Sequence, residues 1–217
     1  MARWATYPPA RGERVHAVQA NYFNSLERPL IFVPGDNDWT DCRGRYGPAT
    51  LPYSDPEERL DFERNLFFST DRSLGQHTLR ITRQTAEGYP ENQRWKLGPV
   101  VYLGLNVQGS NDNYAYHDTE TGTGVPVRSD AEIQRQRNEE IARKAADFRW
   151  LEEGFEDATR VGAKGVMIIW IRQMLFVIEI RIGLPGTLVS ALRRSIVQNP
   201  RASLPAMRVA RHRPCSF

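Results

Sequence analysis

Three polar residues in a row, Asp36, Asn37 and Asp38, follow the pair Pro34-Gly35 and precede Trp39. Carboxylates gathered on one turn are hard oxygen donors suited to a divalent cation, and an amide beside them can hydrogen-bond a bound oxyanion. Asn and Asp are also ordinary turn residues, so by residue type alone these three read as a polar turn after a strand, and one loop by itself cannot supply a metal site. Other candidate donors are scattered. The histidines are His16, His77, His117 and His212, and the cysteines are Cys42 and Cys215. Two cysteines support at most one bridge, and neither a disulfide framework nor a zinc site by themselves. Cys42 reads as a free thiol, and His77 and His117 read as surface residues. His212 stands between Arg211 and Arg213, a poor nest for a cation. His16 is the one histidine before the turn.

The turn needs an element to present it. Leu30-Ile31-Phe32-Val33 is an apolar run of strand length that ends at Pro34-Gly35, so the acidic residues are expected in a loop at a strand's carboxyl end. Ligands bind at such places in open α/β sheets. A weak helical pattern through Val18, Tyr22 and Phe23 covers 16–25, and Asp55 caps a second predicted helix from Pro56 to Phe68. Val100 to Leu105 is a second predicted strand, delivering the polar loop Asn106 to Asn113. Ser129 and Glu132 form a capping-box signature for a long helix, with Ile133, Ile141, Ala145, Phe148, Leu151 and Phe155 near one face. A third apolar run, Val166 to Trp170, follows Gly162 and Gly165. Strand, helix and strand in that order predict a crossover in an α/β fold with a parallel or mixed sheet.

The 217 residues, 40% hydrophobic and 25% charged, suffice for one globular core. A formal charge of +3 is too small an excess to point to nucleic acid. The apolar stretch Val166 to Ile182 contains Arg172, Gln173, Glu179 and Arg181, which makes a bilayer span costly. Residues 171–217 hold eight Arg and one acid, Glu179, so composition separates an atypical segment 1–15, a domain 16–170 and an Arg-rich tail 171–217.

The string Pro34 to Cys42, PGDNDWTDC, is similar to the Gly-Asn-His-Asp/Glu loop of calcineurin-like metallophosphoesterases, in a form found in a bacterial branch of that family. Glu91-Asn92-Gln93-Arg94-Trp95 and Asn106 to Asn113 extend the resemblance, which covers roughly residues 16 to 170. It implies a truncated β-sandwich of mixed sheets flanked by helices, two divalent metal ions, and a phosphate-ester substrate. Position by position it gives Asp36 the place of the metal-ligating Asn and Asn37 the place of the catalytic His, with Asp38 in the acidic position beside it. Asp36 and Asp38 are then the expected metal ligands, and Asn37 the expected substrate-contacting residue, able to hydrogen-bond but not to protonate a leaving group. The family's earlier Asp-bearing loops have no counterpart, since the first 34 residues contain no Asp. Hydrolysis is therefore expected to be absent or impaired; the other reading is a non-catalytic binding protein, or a non-functional fragment, with a degenerate form of the same fold.

Both ends are rich in Arg, Pro and Ala, as an out-of-frame reading of a GC-rich gene would produce. Translating the coding DNA in its other two frames is expected to recover an Asp- or His-bearing ligand motif beside one end. Finding none in either frame refutes that origin.

Overall fold

The computed structural model describes residues 11–40, 55–115, 128–171 and 178–180. Cys42, His117, His212 and nearly all of the Arg-rich tail lie outside the described residues. The longest element begins at a reciprocal cap. The Ser129 hydroxyl accepts from the Glu132 amide at 3.2 Å, and the Glu132 carboxylate accepts from the Ser129 amide at 2.8 Å. Two open donors are satisfied in this way, and α3 (Asp130–Arg160) starts where the sequence predicts it. For α2 (Pro56–Phe67), Asp55 accepts from the Glu57 amide at 3.0 Å, and Pro56 sits in the first turn, where its missing N–H costs nothing. α1 (Arg11–Ser25) contains the expected 16–25 helix and begins at Arg11.

Five strands, β1 (Thr82–Gln84), β2 (Tyr89–Leu97), β3 (Val100–Gly104), β4 (Gly165–Ile169) and β5 (Ile178–Ile180), lie in that order in one sheet. β1, β2 and β3 are antiparallel neighbours, and the β2–β3 hairpin closes by pairing Leu97 with Val100. β4 runs parallel to β3, from Val100↔Gly165 to Gly104↔Ile169, and antiparallel to β5. A parallel neighbour requires a crossover, which α3 provides. The architecture is thus α/β with a mixed sheet.

The apolar run Leu30 to Val33 is not a strand. It makes one bridge, Leu30↔Leu74, and continues extended to the turn. Its carbonyls are taken by side chains instead of a neighbouring strand: Phe32 O accepts from Gln93 Nε2, and Pro34 O from Gln108 Nε2, each at 2.7 Å. Val33 packs beside Gly104 on β3, on the side where no larger residue blocks it.

Val101, Leu103, Leu105, Val107, Val166 and Ile168 meet Trp150, Leu151 and Ala158 of α3 in the larger core. Burying each such side chain contributes about 1.5–3 kcal/mol. Helix and sheet approach closely at Gly154, where an added Cβ would lie 2.6 Å from Leu103 Cδ1. A smaller aromatic core joins α1 and α2 to the extended run: Ala20, Phe23, Phe32, Phe67 and Phe68, with Phe32 and Phe67 ring centroids 4.6 Å apart.

Two helical faces differ from the sequence expectation. On α1 the inward stripe is His16, Ala20 and Phe23, whereas Val18 and Tyr22 are exposed. On α3, Ile141 and Ala145 face outward, and the buried stripe carries Gln136, Glu140, Arg143 and Asp147 among its apolar members. Apolar spacing misleads here because the surface α3 covers is itself polar. Arg143, fully buried, donates to Glu139 Oε1 at 2.7 Å, to Asp112 Oδ1 at 2.9 Å, to the Asp112 carbonyl at 2.7 Å and to the Asn106 carbonyl. These bonds hold Asn111, Asp112 and Asn113 in left-handed conformations, with φ of 60°, 57° and 70°. Such geometry costs about 1–3 kcal/mol per residue unless its surroundings enforce it.

Removing one partner of a buried ion pair strands the other, at about 3–5 kcal/mol. Arg143→Met is therefore expected to lower the unfolding free energy by about that much in chemical denaturation. Arg143→Lys is expected to restore only part of it, because an ammonium group cannot reproduce the planar fork. A loss below about 1 kcal/mol, the range of a surface pair, would contradict this role.

Candidate metal centre

The acidic turn is closed by its own residues. Asp38 Oδ2 accepts from the Gly35 amide at 2.7 Å, the Asp38 amide donates to the Gly35 carbonyl at 3.1 Å, and the Thr40 hydroxyl donates to the Asp36 carbonyl at 3.0 Å. Beneath it lies a layer of buried amides and charges. Gln108, which holds Pro34, also donates to Asn106 Oδ1; Asn106 donates to Glu91 at 3.1 Å, and Glu91 receives both arms of the Arg64 fork at 2.9 and 2.7 Å. Asn92 joins Gln84 and Asp147 at 2.8 and 2.7 Å. Most buried polar groups are paired, and this lattice pairs all of its named side chains, though not Gln108 Oε1 and Asp147 Oδ2, while fixing where the turn leaves the sheet. Trp39 is fully buried next to the turn, with the Arg143 guanidinium 5.1 Å from its ring.

Asp38 turns toward two residues from other elements. His16 of α1, Asp38 and Glu63 of α2 each offer a ligand atom, and these atoms lie within 4.8 Å of one another. His16 Nε2 and Glu63 Oε1 are 3.4 Å apart. His16 is 1% exposed and Glu63 0%, and neither Glu63 oxygen accepts a hydrogen bond among the described residues. One imidazole nitrogen and two carboxylates match the donor chemistry of a borderline divalent cation. In a tetrahedral site with bonds of about 2.1 Å, neighbouring donors stand about 3.4 Å apart, so the His16–Glu63 edge already has the required size. The group fits one ion. Among the described residues it is the one group of three or more such ligands, so a second ion has no comparable set there.

Electrostatics agree with the need for a cation. Burial pushes the Glu63 carboxyl up to about 8; Arg59 opposes that shift and Glu91 adds to it. Burial and then the Glu63 charge push Asp38 up to about 7, against the Gly35 N–H and His16. Without a compensating positive charge, both carboxyls hold protons to unusually high pH.

Of the residues expected to bind metal, Asp38 belongs to this group. Asp36 lies beside it, where its Oδ1 accepts from the Asn37 amide at 2.9 Å and from Asn37 Nδ2 at 3.2 Å. Asn37, the expected catalytic residue, therefore faces Asp36 at the half-buried edge of the turn. His77 is exposed, as expected. The loop 106–113 is directed into the lattice under α3. Sequence reading missed the partnership of His16 with Glu63. A signal existed: each occupies a core-facing helical position, His16 four before Ala20, and Glu63 between Leu60 and Phe67.

No family model, curated protein or solved structure matches the chain. No helix among the described residues is long and apolar enough to cross a membrane.

The raised carboxyl pKa values set a pH dependence. Folded Glu63 and Asp38 bind protons that the unfolded chain, titrating near 4.5 and 3.8, has already released. Their contribution to stability is full below about pH 4 and lost as pH rises through 7 to 8. In metal-free protein the denaturation midpoint is expected to fall over that range, and Glu63→Gln is expected to flatten the fall. An unchanged slope in that variant would show that Glu63 does not titrate there.

Proposed function

We propose that the chain is a metal-dependent phosphoesterase by descent, a hydrolase of phosphoric esters whose turnover is impaired. What carries this reading is that Asp38, an acidic residue of the loop that resembles the calcineurin-like metallophosphoesterases, meets His16 and Glu63 with ligand atoms within 4.8 Å of one another. The sandwich fold and the pair of ions belong to the same resemblance, and the mixed sheet with helical cover is consistent with it. A bound divalent ion would supply Lewis-acid polarisation of a phosphoryl oxygen and a water of lowered pKa.

The chain's own residues then have limited parts. Asp36 and Asp38 bring negative charge to the turn, and Asn37 can offer an amide hydrogen to a substrate oxygen once it leaves Asp36. Asn37 cannot donate a proton to a leaving alkoxide, which removes a contribution of typically 10²–10⁴-fold from general acid catalysis. Slow hydrolysis restricted to esters with good leaving groups is the corresponding expectation. The enclosure of His16 and Glu63 favours a second reading, a non-catalytic metal-binding protein on the same scaffold.

Purified protein incubated with Mn²⁺ or Zn²⁺ and an aryl phosphate separates the two. Turnover that disappears on chelation and falls at least about tenfold in Asp36→Ala supports a hydrolase centred on this turn. Bound metal without any turnover favours the binding protein.

A further inference from the structure

The position of the His16, Asp38 and Glu63 donors bears on what an ion would do there. Each comes from a different element: α1, the turn at 35–38, and α2. The chain just after α1 is fastened by backbone bonds, with Leu26 O accepting from Gln76 at 2.8 Å and Glu27 O from His77 at 3.1 Å. Among the described side chains of α1, His16 faces inward, while Val18 and Tyr22 face solvent. His16 is walled by Phe62 and Phe67, whose ring centroids are 5.8 and 6.5 Å from its own. Glu63 contributes a second, independent sign of a ligand: a carboxylate with no exposed surface whose two oxygens have no hydrogen-bond donor among the described residues.

The geometry points to a closed structural site for one divalent cation of the zinc class, bound by His16, Asp38 and Glu63 and stapling the first half of α1 to α2 and the turn. It rests on the cation assignment made above and not on hydrolysis. Charge balance supports it. A neutral imidazole, two carboxylates and a 2+ ion sum to zero, and the nearby Arg59 is matched by Glu58, which receives its fork at 2.7 and 2.6 Å. Glu63 has both oxygens available, so it can fill two of four positions. An imidazole among three residues also disfavours Ca²⁺ and Mg²⁺, which take six or more oxygens or retain several waters. The His and Glu ligands are 1% and 0% exposed and Asp38 is half-buried, so an ion there would be largely enclosed, which suits a centre that holds structure together.

The test uses the full chain. Zn²⁺ titrated into chelator-treated protein is expected to bind at one ion per chain, raise the melting midpoint with concentration, and slow amide exchange in residues 11–20. Co²⁺ in its place is expected to give visible absorption of low-coordinate type. Glu63→Gln keeps the side chain's size, so in chelator it is expected to melt no lower than wild type. With Zn²⁺ its affinity is expected to drop by more than the roughly 10–100-fold that outer-shell partners are worth. The inference is overturned if melting of the wild type ignores Zn²⁺, Co²⁺ and Mn²⁺, or if Glu63→Gln binds Zn²⁺ as tightly as wild type. Stabilisation by Zn²⁺ without aryl phosphate hydrolysis would uphold the staple and sink the hydrolase. Metal-dependent hydrolysis without stabilisation would do the reverse.

Discussion

A positive charge at the centre of the helix–sheet interface has to be neutralised, and much of the fold is arranged around that need. Arg143 leaves water completely, so its cost is met by Glu139 on the same helix, by Asp112 and by two backbone carbonyls. Its folded pKa is driven upward because those acids outweigh burial, and it therefore stays charged at all physiological pH. Three consecutive left-handed residues, Asn111 to Asn113, persist beside it, since the fork binds Asp112 through both side chain and backbone.

From this centre, order spreads toward the turn by short links. Asn106 connects Arg143 to Glu91 and to Gln108, and Gln108 holds the Pro34 carbonyl. Gln93, one residue beyond the buried Asn92, holds Phe32. The acidic turn is thus carried by amide side chains reaching up from the sheet, in place of a ladder of its own. Such a support is specific in direction but leaves the segment with little intrinsic strand character.

Beside this lattice, Glu63 in the group with His16 and Asp38 stands out, because neither of its buried oxygens accepts a hydrogen bond among the described residues. Within the lattice Gln108 and Asp147 each leave one oxygen without a donor among the described residues, whereas Glu63 lacks one at both oxygens, and Arg59, whose charge opposes its raised pKa, also pairs with Glu58. Protons or a metal ion can fill that deficit. Which one does depends on pH and metal supply, because ligand carboxyls raised to about 7 and 8 must be deprotonated as an ion enters.

Local chemistry was readable in the sequence wherever neighbours along the chain decide the outcome. The Ser129–Glu132 cap, the Asp55–Pro56 start of α2, the apolar strand at Val100 and the crossover to Val166 follow from propensity and spacing alone, and so does the turn at Gly35. Outcomes set by distant partners were not readable there. Leu30 to Val33 has strand composition but no strand beside it, α3 buries Arg143 and Asp147 against a polar sheet end, and His16 finds its carboxylate 47 positions away at Glu63. Sequence fixes which groups can ionise or ligate; only the packing of α1 against α2 and the turn decides that three of them meet within 4.8 Å, two buried and Asp38 half-buried, because burial and proximity are properties of the assembled chain.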